Sequence, residues 1–327
     1  MNMVRSMVLV NAALAVVLWC LVPSATAQSG YPEKPIRLVV PYLPGASSDI
    51  LGRLMAQALS KQLDTPVVVD NKPGANSKIG TEFVAKSAND GYTLLFNTSS
   101  LILNPALYAK PGYDPVRDFS PVVLVATYAL IYIVPPTLPV ANVQEFVAYG
   151  RQNPGKLSYG SAGIGNGTHL GAQLFLDANG IKAVHVPYKG GSAAVIDLIG
   201  GNLQFYAGSG SAVLPFIRDK RVRPLAVAAL KRLPALPDVP TVNETVTPNF
   251  EAGLWQGIVA PAGTPPAIVR RLNSESVKFL KEPGTLARLG NEGAVAMGLT
   301  PEEYGAYIKS EMQRWGKVIR DAGIKPE

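Results

Sequence analysis

The chain reads IRLVVPYLPGASSDILGRLMAQAL from Ile36 to Leu59, and this stretch decides the fold. A short β-branched run ends at Pro41, a Pro-Gly turn follows, and apolar residues then recur at helical spacing from Ile50 onward. The pattern predicts a strand, a turn and a helix in that order. Strands that alternate with helices form parallel sheets covered by helices on both faces.

The same alternation recurs along most of the chain. Further short strands are predicted near residues 67–69, 92–96, 157–160, 184–187, 203–207 and 225–229, and helical segments separate most of them. Two other β-rich stretches, Val122–Val134 and Trp255–Pro261, break the rhythm. The first is too long for an ordinary strand, so we expect both to pass between two parts of the molecule. The segment after residue 261 is predicted to be helical.

Two crossing stretches predict two α/β lobes with a ligand cleft between them. The first lobe is expected to be discontinuous and to comprise residues 28–126 and 255–327, and the second to comprise residues 127–254. A chain of 327 residues is long enough for two such domains, each with its own core.

Residues 1–27 have the pattern of a cleavable signal peptide. Arg5 is their only charge, Val8–Val22 is apolar, and Ala25–Ala27 supplies the small residues that a signal peptidase reads. We therefore expect export to the periplasm and a soluble mature protein that starts near Gln28. The apolar run is shorter than the roughly 20 residues of a spanning helix.

The composition excludes several classes of protein. Of the residues 47% are hydrophobic and 16% charged, and the net charge of +7 is scattered along the chain, which favours small anions over nucleic acid as partners. The one cysteine, Cys20, lies in the predicted signal peptide. Lipid attachment there is disfavoured by the bulky Trp19 before it. Because the only cysteine would be removed with the signal peptide, we expect the mature chain to have no thiol for catalysis or metal binding.

Ligands of such sheets bind beyond the carboxyl ends of the strands, where helices begin and N–H groups are free. Loops rich in Gly, Ser and Asn are predicted at that edge, around residues 44–49, 74–77, 97–100, 160–169, 186–191 and 208–211. The candidate ligand-binding residues in and beside them are Tyr42, Gly45, Ala46, Ser47, Ser48, Asp49, Asn76, Asn97, Thr98, Ser99, Ser161, Ala162, Gly165, Asn166, Thr168, His169, Tyr188 and Ser209.

Several of these residues have two interpretations at this stage. Ser47 or Ser48 is expected to cap the first helix. Asp49 either organises its loop or binds a ligand directly. His169 either hydrogen-bonds a ligand or water, or packs at the helix start, and Tyr188 either lines the cleft or packs behind its loop.

Known catalytic and cofactor motifs are missing. The glycines around residue 165 fail the dinucleotide pattern because Thr168 stands at its last position, and Gly150–Leu157 is a poor phosphate loop that ends in Leu. No serine has the Gly-x-Ser-x-Gly context, and His169 and His185 are the only histidines. We therefore expect no enzyme activity, cofactor or metal, and a structural role for His185.

Six segments jointly resemble a known family. They are YPEKPIRLVVPYLPGASSDILGR, VVDNKPGANSKIGTEFVAKSANDGYTLLF, YGSAGIGNGTHLGAQLF, HVPYKGGSAAVIDLIGGNLQF, RPLAVAALKRLPALPDVPTVNE and LWQGIVAPAGTPPAIVRRLN. These resemble the periplasmic substrate-binding proteins of tripartite tricarboxylate transporters, the Bug or TctC group.

The resemblance implies a type II-like periplasmic-binding-protein fold that closes on a small organic anion. A di- or tricarboxylate, an aromatic carboxylate or an acidic amino acid would be held by the loops matching Gly45–Asp49 and Ser161–His169, and the receptor would then dock on membrane permease subunits. We expect a monomer. A receptor that reports to a signalling partner, or an exported enzyme, are the alternatives.

Two positions depart from the family pattern. Ala46 stands where a second glycine is usual, so a methyl group enters the first loop, and Gln204 stands where an acidic residue is usual. The first departure bears on the ligand class, and the second is expected to affect structure.

Overall fold

A computed structural model describes residues 30–188 and 190–321. The predicted signal peptide and the start of the mature chain at Gln28 lie outside the described residues. The chain divides into two units, Met1–Glu33 and Lys34–Glu327. Of the first unit only residues 30–33 are described, and the fold below is that of the second.

The elements alternate as the sequence predicts. The strands are β1 (Ile36–Val40), β2 (Val67–Asn71), β3 (Thr93–Thr98), β4 (Phe119–Ala129), β5 (Ile131–Val134), β6 (Leu157–Ser161), β7 (Ala183–Pro187), β8 (Phe205–Gly208), β9 (Arg223–Val227), β10 (Gly253–Pro261) and β11 (Ala294–Ala296). The helices are α1 (Ser47–Leu63), α2 (Lys78–Ala85), α3 (Ser100–Leu107), α4 (Val143–Gln152), α5 (Gly167–Ala178), α6 (Gly191–Ile199), α7 (Gly210–Arg218), α8 (Val242–Thr245), α9 (Pro266–Leu280), α10 (Pro283–Asn291) and α11 (Pro301–Asp321).

The strands form two sheets, one in each lobe. The six-stranded sheet of the first lobe has the order β11-β4-β10-β3-β1-β2, and the five-stranded sheet of the second lobe has the order β7-β6-β8-β5-β9. In the first sheet β1 is parallel to β2 and β3. In the second sheet β6 is parallel to β7 and β8. The predicted two-lobed α/β class is thereby confirmed.

The prediction of parallel sheets holds for only part of each sheet. Strand β10 runs antiparallel to β3 and β4, β11 runs antiparallel to β4, and β5 runs antiparallel to β8 and β9. The chain leaves the first lobe through β4 and returns to it through β10. These two strands therefore run in opposite directions and can pair side by side. The C-terminal part was also expected to be wholly helical, but it contributes the three-residue strand β11.

The first crossing stretch is two strands rather than one. Strand β4 ends at Ala129 in the first sheet and β5 begins at Ile131 in the second, with Leu130 between them. The N–H of Leu130 donates to the carbonyl of Ala252 over 3.1 Å, and the N–H of Ala252 donates to the carbonyl of Ala228 over 3.0 Å. The two connections between the sheets therefore lie side by side. The boundaries predicted at residues 126/127 and 254/255 stay a prediction.

The core is apolar and aromatic. Trp255 and Trp315 are fully buried, and the ring of Tyr132 packs against the rings of Phe175 and Phe205. Across residues 30–188 and 190–321, no helix has the length and apolar character needed to cross a membrane. The same residues contain no cluster of metal-ligating side chains.

Candidate functional site

The first-lobe loop, residues 44–49, is organised by the carboxylate of Asp49. Its Oδ2 accepts hydrogen bonds from the Gly45 amide over 2.8 Å and from Arg53 Nε over 3.0 Å, and its Oδ1 accepts from Asn71 Nδ2 over 2.8 Å. Burial opposes ionisation of Asp49, but these hydrogen bonds outweigh it and lower the pKa of the carboxyl below its ordinary value of 3.8. Both oxygens are thus occupied by donors of the loop, of α1 and of β2. This geometry favours the loop-organising interpretation of Asp49.

The start of α1 leaves backbone donors free. Ala46, rather than Ser47 or Ser48 as expected, occupies the N-cap position, and its methyl side chain cannot accept a hydrogen bond. Within the described chain, the N–H groups of Ser47, Ser48 and Asp49 have no hydrogen-bond partner. The first turn of a helix is where such unsatisfied donors are expected. An anion placed there would meet several N–H groups and the positive end of the helix dipole.

Tyr42 ties this loop to the end of β3. Its hydroxyl oxygen lies 2.6 Å from Thr98 Oγ1 and 2.9 Å from Ser100 Oγ, and its carbonyl accepts from Asn71 Nδ2 over 3.0 Å. Since Asn71 also donates to Asp49, one hydrogen-bonded network joins four of the candidate residues: Tyr42, Gly45, Asp49 and Thr98.

Asn76 and Asn97 are held by other partners. The Asn76 side chain donates to Asn104 Oδ1 over 3.0 Å, and Asn104 Nδ2 donates back to the Asn76 carbonyl over 2.9 Å. The Asn97 amide bonds the hydroxyl of Tyr304 on α11. Ser99 is buried at the start of α3, and its N–H donates to the carbonyl of Trp255 over 3.1 Å. Asn97 is therefore turned away from the face that carries Tyr42 and Thr98.

The second-lobe loop, residues 160–169, is braced by its own side chains. The Asn166 side chain caps α5 by accepting from the Thr168 N–H over 3.0 Å. Three further amides of the loop donate to side chains of the same loop: Ala162 to Thr168 Oγ1 at 2.9 Å, Gly163 to Ser161 Oγ at 3.1 Å, and Gly165 to His169 Nδ1 at 3.0 Å. At the start of α5 the N–H groups of Gly167 and His169 have no partner among the described residues.

Two stacked imidazoles support this loop from behind. The rings of His169 and His185 lie 3.7 Å apart between centroids and 7° from parallel, and the Tyr159 ring lies 5.0 Å from His185 and 6.1 Å from His169. His185 Nε2 lies 2.7 Å from Ser161 Oγ. This placement favours the structural role expected for His185.

Both imidazoles are neutral near pH 7. Burial lowers the pKa of His185 to about 4, and burial together with the neighbouring His185 lowers that of His169 to about 4. Since Nδ1 of His169 accepts a hydrogen bond from the Gly165 N–H, the ring proton of neutral His169 is assigned to Nε2.

The loops of the two lobes meet at glycines. A Cβ placed on Gly165 would lie 2.3 Å from a methyl carbon of Leu107 on α3, and one placed on Gly167 would lie 2.0 Å from Leu254 and 3.7 Å from Ser99 Oγ. Any side chain at these two positions would hold the loops apart. The structure thereby brings the second-lobe loop next to Ser99 and the start of α3.

Tyr188 and Ser209 do not take part in the hydrogen-bonded network of Tyr42, Asn71 and Asp49. The hydroxyl of Tyr188 donates to Asp197, and its N–H donates to the Ser161 carbonyl over 3.0 Å. Burial, followed by the hydrogen bond to Asp197, raises the pKa of Tyr188 to about 12. This placement favours packing behind the loop. Ser209 lies at the start of α7, and its hydroxyl oxygen is 3.3 Å from Ser211 Oγ.

Three residues that shape the site were not among the sequence candidates. Arg53 lies one helical turn after Asp49, and that spacing could have revealed the ion pair. Asn71 ends β2, and nothing in the sequence points to its contact with Asp49. Gln256 lies opposite Thr98 in the pairing of β10 with β3.

Comparison with known proteins agrees with this architecture. Residues 51–324 match the family described as the tripartite tricarboxylate transporter family receptor. Protein BugT of Bordetella pertussis is 34% identical over 327 residues, which cover 99% of each chain.

Two solved structures are similar over nearly the whole chain. Rpa4515 from R. palustris, solved with adipate, has a TM-score of 0.83 and 35% identity, and the match covers 91% of this chain and 100% of that one. MatC from Rhodopseudomonas palustris, solved with bound malate, has a TM-score of 0.77 and 28% identity and covers 88% of this chain and 100% of its own. With its two sheets and its match to the family over most of its length, the chain belongs to the tripartite tricarboxylate transporter family of receptors.

Proposed function

We propose that this protein binds a small organic carboxylate between its two lobes and delivers it to the permease subunits of a tripartite tricarboxylate transporter. The relatives solved with adipate and malate hold dicarboxylates, which supports a ligand of this kind. The export pattern of residues 1–27 supports action in the periplasm.

The observation that carries the proposal is the pair of helix starts with free N–H groups. The amides of Ser47–Asp49 on α1 and of Gly167 and His169 on α5 have no partner within the described residues, while the loops that precede them are braced from within. Such amides bind carboxylates well, because the donors are already oriented and the helix dipole favours negative charge. The proposed carboxylate donors are therefore these helix starts.

In this proposal the carboxylate is held without a positively charged side chain. Arg53 is engaged by Asp49 and by the Asn71 side-chain oxygen over 2.8 Å, so it stabilises the first-lobe loop and is not the partner of the ligand. Several oriented amides and hydroxyls, together with apolar contact, are sufficient for a micromolar affinity of about −8 kcal/mol. Closure of the lobes would exclude water and strengthen each of these hydrogen bonds.

A thermal-shift screen tests this function on the mature chain. We expect a di- or tricarboxylate, an aromatic carboxylate or an acidic amino acid to stabilise the fold by RT ln(1 + [L]/Kd) and so raise the melting temperature, and sugars and cationic amines of similar size to leave it unchanged. Stabilisation by sugars or amines, with no carboxylate active, would contradict the proposal. Delivery is tested by uptake of the bound carboxylate into vesicles that contain the permease, which should require the receptor.

A further inference from the structure

Gln256 carries a buried polar atom with no partner. The residue lies in β10 with 7% of its surface exposed, and its side-chain oxygen Oε1 makes no hydrogen bond to any described residue. Buried amide oxygens are nearly always paired, because leaving one unpaired forfeits its hydration. The indole nitrogen Nε1 of Trp255 is also buried without a hydrogen-bond partner among the described residues. Adjacent residues of a strand, however, point to opposite faces of the sheet. The two unpartnered atoms therefore lie in different surroundings.

The pairing of the strands places Gln256 beside the hydroxyl network of the first lobe. Gln256 lies directly opposite Thr98 on β3, and opposite residues of an antiparallel pair share one face with their Cβ atoms about 5 Å apart. Thr98 Oγ1 is bonded to Tyr42, whose carbonyl shares Asn71 with Asp49. On the other side Gln256 faces Ala126, which offers only a methyl group. The polar residue opposite Gln256 on β3, Thr98, is thus a candidate ligand-binding residue.

The second lobe reaches the same part of β10. Leu254, two residues before Gln256, lies against Gly167 at the start of α5, and the Ser99 N–H donates to the carbonyl of Trp255. Gln256 therefore lies where β3 ends and where the second-lobe loop meets the first lobe. A ligand held by the amides of α1 and α5 would lie within reach of its side chain.

We propose that Gln256 Oε1 accepts a hydrogen bond from a hydroxyl or ammonium group of the bound ligand, so that the receptor selects ligands that carry such a group beside the carboxylate. This inference rests on the proposed function. The hydroxyl groups of Tyr42, Thr98 and Ser100 already hydrogen-bond to one another. The side-chain oxygen of Gln256 is therefore the acceptor in this region that still lacks a partner among the described residues. A site built around a buried acceptor rejects ligands that lack the matching donor, because its own group is then left unpaired.

Calorimetry with matched ligands tests the selection. We would titrate the mature chain with three series that differ only in the donor: succinate, malate and aspartate; adipate, 2-hydroxyadipate and 2-aminoadipate; and phenylacetate, mandelate and phenylglycine. In whichever series binds, we expect the hydroxylated or aminated member to bind about tenfold or more tightly than the unsubstituted one. Comparison of the hydroxylated with the aminated member of a series shows from which of the two donors Gln256 accepts.

Variants assign the selection to Gln256. Gln256→Met keeps the length and apolar volume of the side chain and removes the acceptor, so we expect the members of the binding series to differ by less than about threefold while the melting temperature is kept. Trp255→Phe removes the unpartnered donor on the opposite face and should leave the preference unchanged.

The outcomes separate this inference from the proposed function. If no member of any series binds, the proposed function fails. If carboxylates bind and wild-type affinities do not depend on the donor, selection by Gln256 is overturned and the receptor function stands. If Gln256→Met weakens all members of a series equally, Gln256 is a general contact and the selection is likewise overturned.

Discussion

The two loops that we propose hold the carboxylate are built in opposite ways. The first-lobe loop is fixed by an ion pair between the buried Asp49 and the half-exposed Arg53, and Asp49 also accepts from Asn71 and the Gly45 amide. The second-lobe loop is fixed by neutral groups alone, with Thr168, Ser161 and His169 accepting its amides. Both solutions satisfy the amides of the loop and leave those of the following helix free. Two loops with different internal contacts thus both leave N–H groups, unpaired within the described chain, at the start of the helix that follows.

The difference lies in how each loop responds to change. An ion pair on the first loop resists acid until its carboxyl group is protonated, whereas stacked neutral imidazoles cannot accept protons without placing like charges against each other. Substitutions and pH should therefore separate the two loops, and the following expectations run from the largest effect to the smallest.

Loss of the imidazole of His169 should have the largest effect. His169→Ala removes the acceptor of the Gly165 N–H and leaves a cavity beside His185, so we expect a loss of about 3 kcal/mol in the free energy of unfolding and at least about tenfold weaker carboxylate binding. Urea denaturation and calorimetry measure the two quantities.

His169→Asn is the matched control for this substitution. Its side-chain oxygen can take the place of Nδ1 and accept from Gly165, but it cannot stack on His185. We expect binding to recover more than stability does. Equal loss of both quantities in the two variants would show that the hydrogen bond to Gly165 does not hold the loop.

Breaking the ion pair of the first-lobe loop should cost somewhat less. Arg53→Ala leaves the buried Asp49 carboxylate without its cation, but Arg53 is half exposed, so we expect about 1 to 2 kcal/mol of destabilisation. Lys86→Ala breaks a pair with Glu82 of the same i,i+4 spacing on an exposed helix face and should cost less than about 0.5 kcal/mol. Equal losses in urea denaturation would remove the special role of Asp49.

Acid should weaken the two loops in separate pH ranges. The folded pKa of both histidines is about 4 against an ordinary value of 6.5, so the unfolded chain binds protons first and stability falls from pH 6.5 towards 4. The contribution of Asp49 is present above pH 3.8 and is lost only as the pH falls through its lowered folded pKa.

Denaturation at a series of pH values measures this dependence. His169→Asn should reduce the slope between pH 4 and 6.5 by up to about 1.4 kcal/mol per pH unit, the contribution of one proton. An unchanged slope would mean that His169 is not held neutral in the folded protein.

The smallest effect is expected at Ala46. Its backbone angles, φ −66° and ψ 156°, suit any residue, so Ala46→Gly should cost at most about 1 kcal/mol and change affinity by less than about threefold. Gly45 has φ +83°, and Gly45→Ala should therefore be more destabilising than Ala46→Gly. A large gain in affinity for Ala46→Gly would show that the methyl group restricts the ligand.

Much of this architecture could be predicted, because each strand and helix leaves a local periodicity and each loop a cluster of Gly, Ser or Asn. The direction of β5, β10 and β11 could not, since antiparallel neighbours are set by contacts between residues far apart in the sequence, such as Thr98 and Gln256. The three-residue β11 is too short to show any periodicity.

Within the site, sequence predicted the loops better than their internal contacts. The helices that follow residues 46 and 166 could be predicted from the local pattern, although the N-cap of the first was expected at Ser47 or Ser48 and lies at Ala46. The stack of His169 on His185 could not be predicted, because it depends on how α5 packs over β7. For the same reason the orientation of Asn97 towards Tyr304 could not be seen in the sequence.

Amide chemical shifts test most directly whether one carboxylate is held by both helix starts. In a ¹⁵N-labelled sample of the mature protein, saturation with a binding carboxylate should move the amide protons of Ser47–Asp49 and of Gly167 and His169 downfield together. The amides of Ala162 and Gly165, already bonded within the loop, should move much less. Shifts confined to one helix start, or larger at Ala162 and Gly165 than at the helices, would contradict the account.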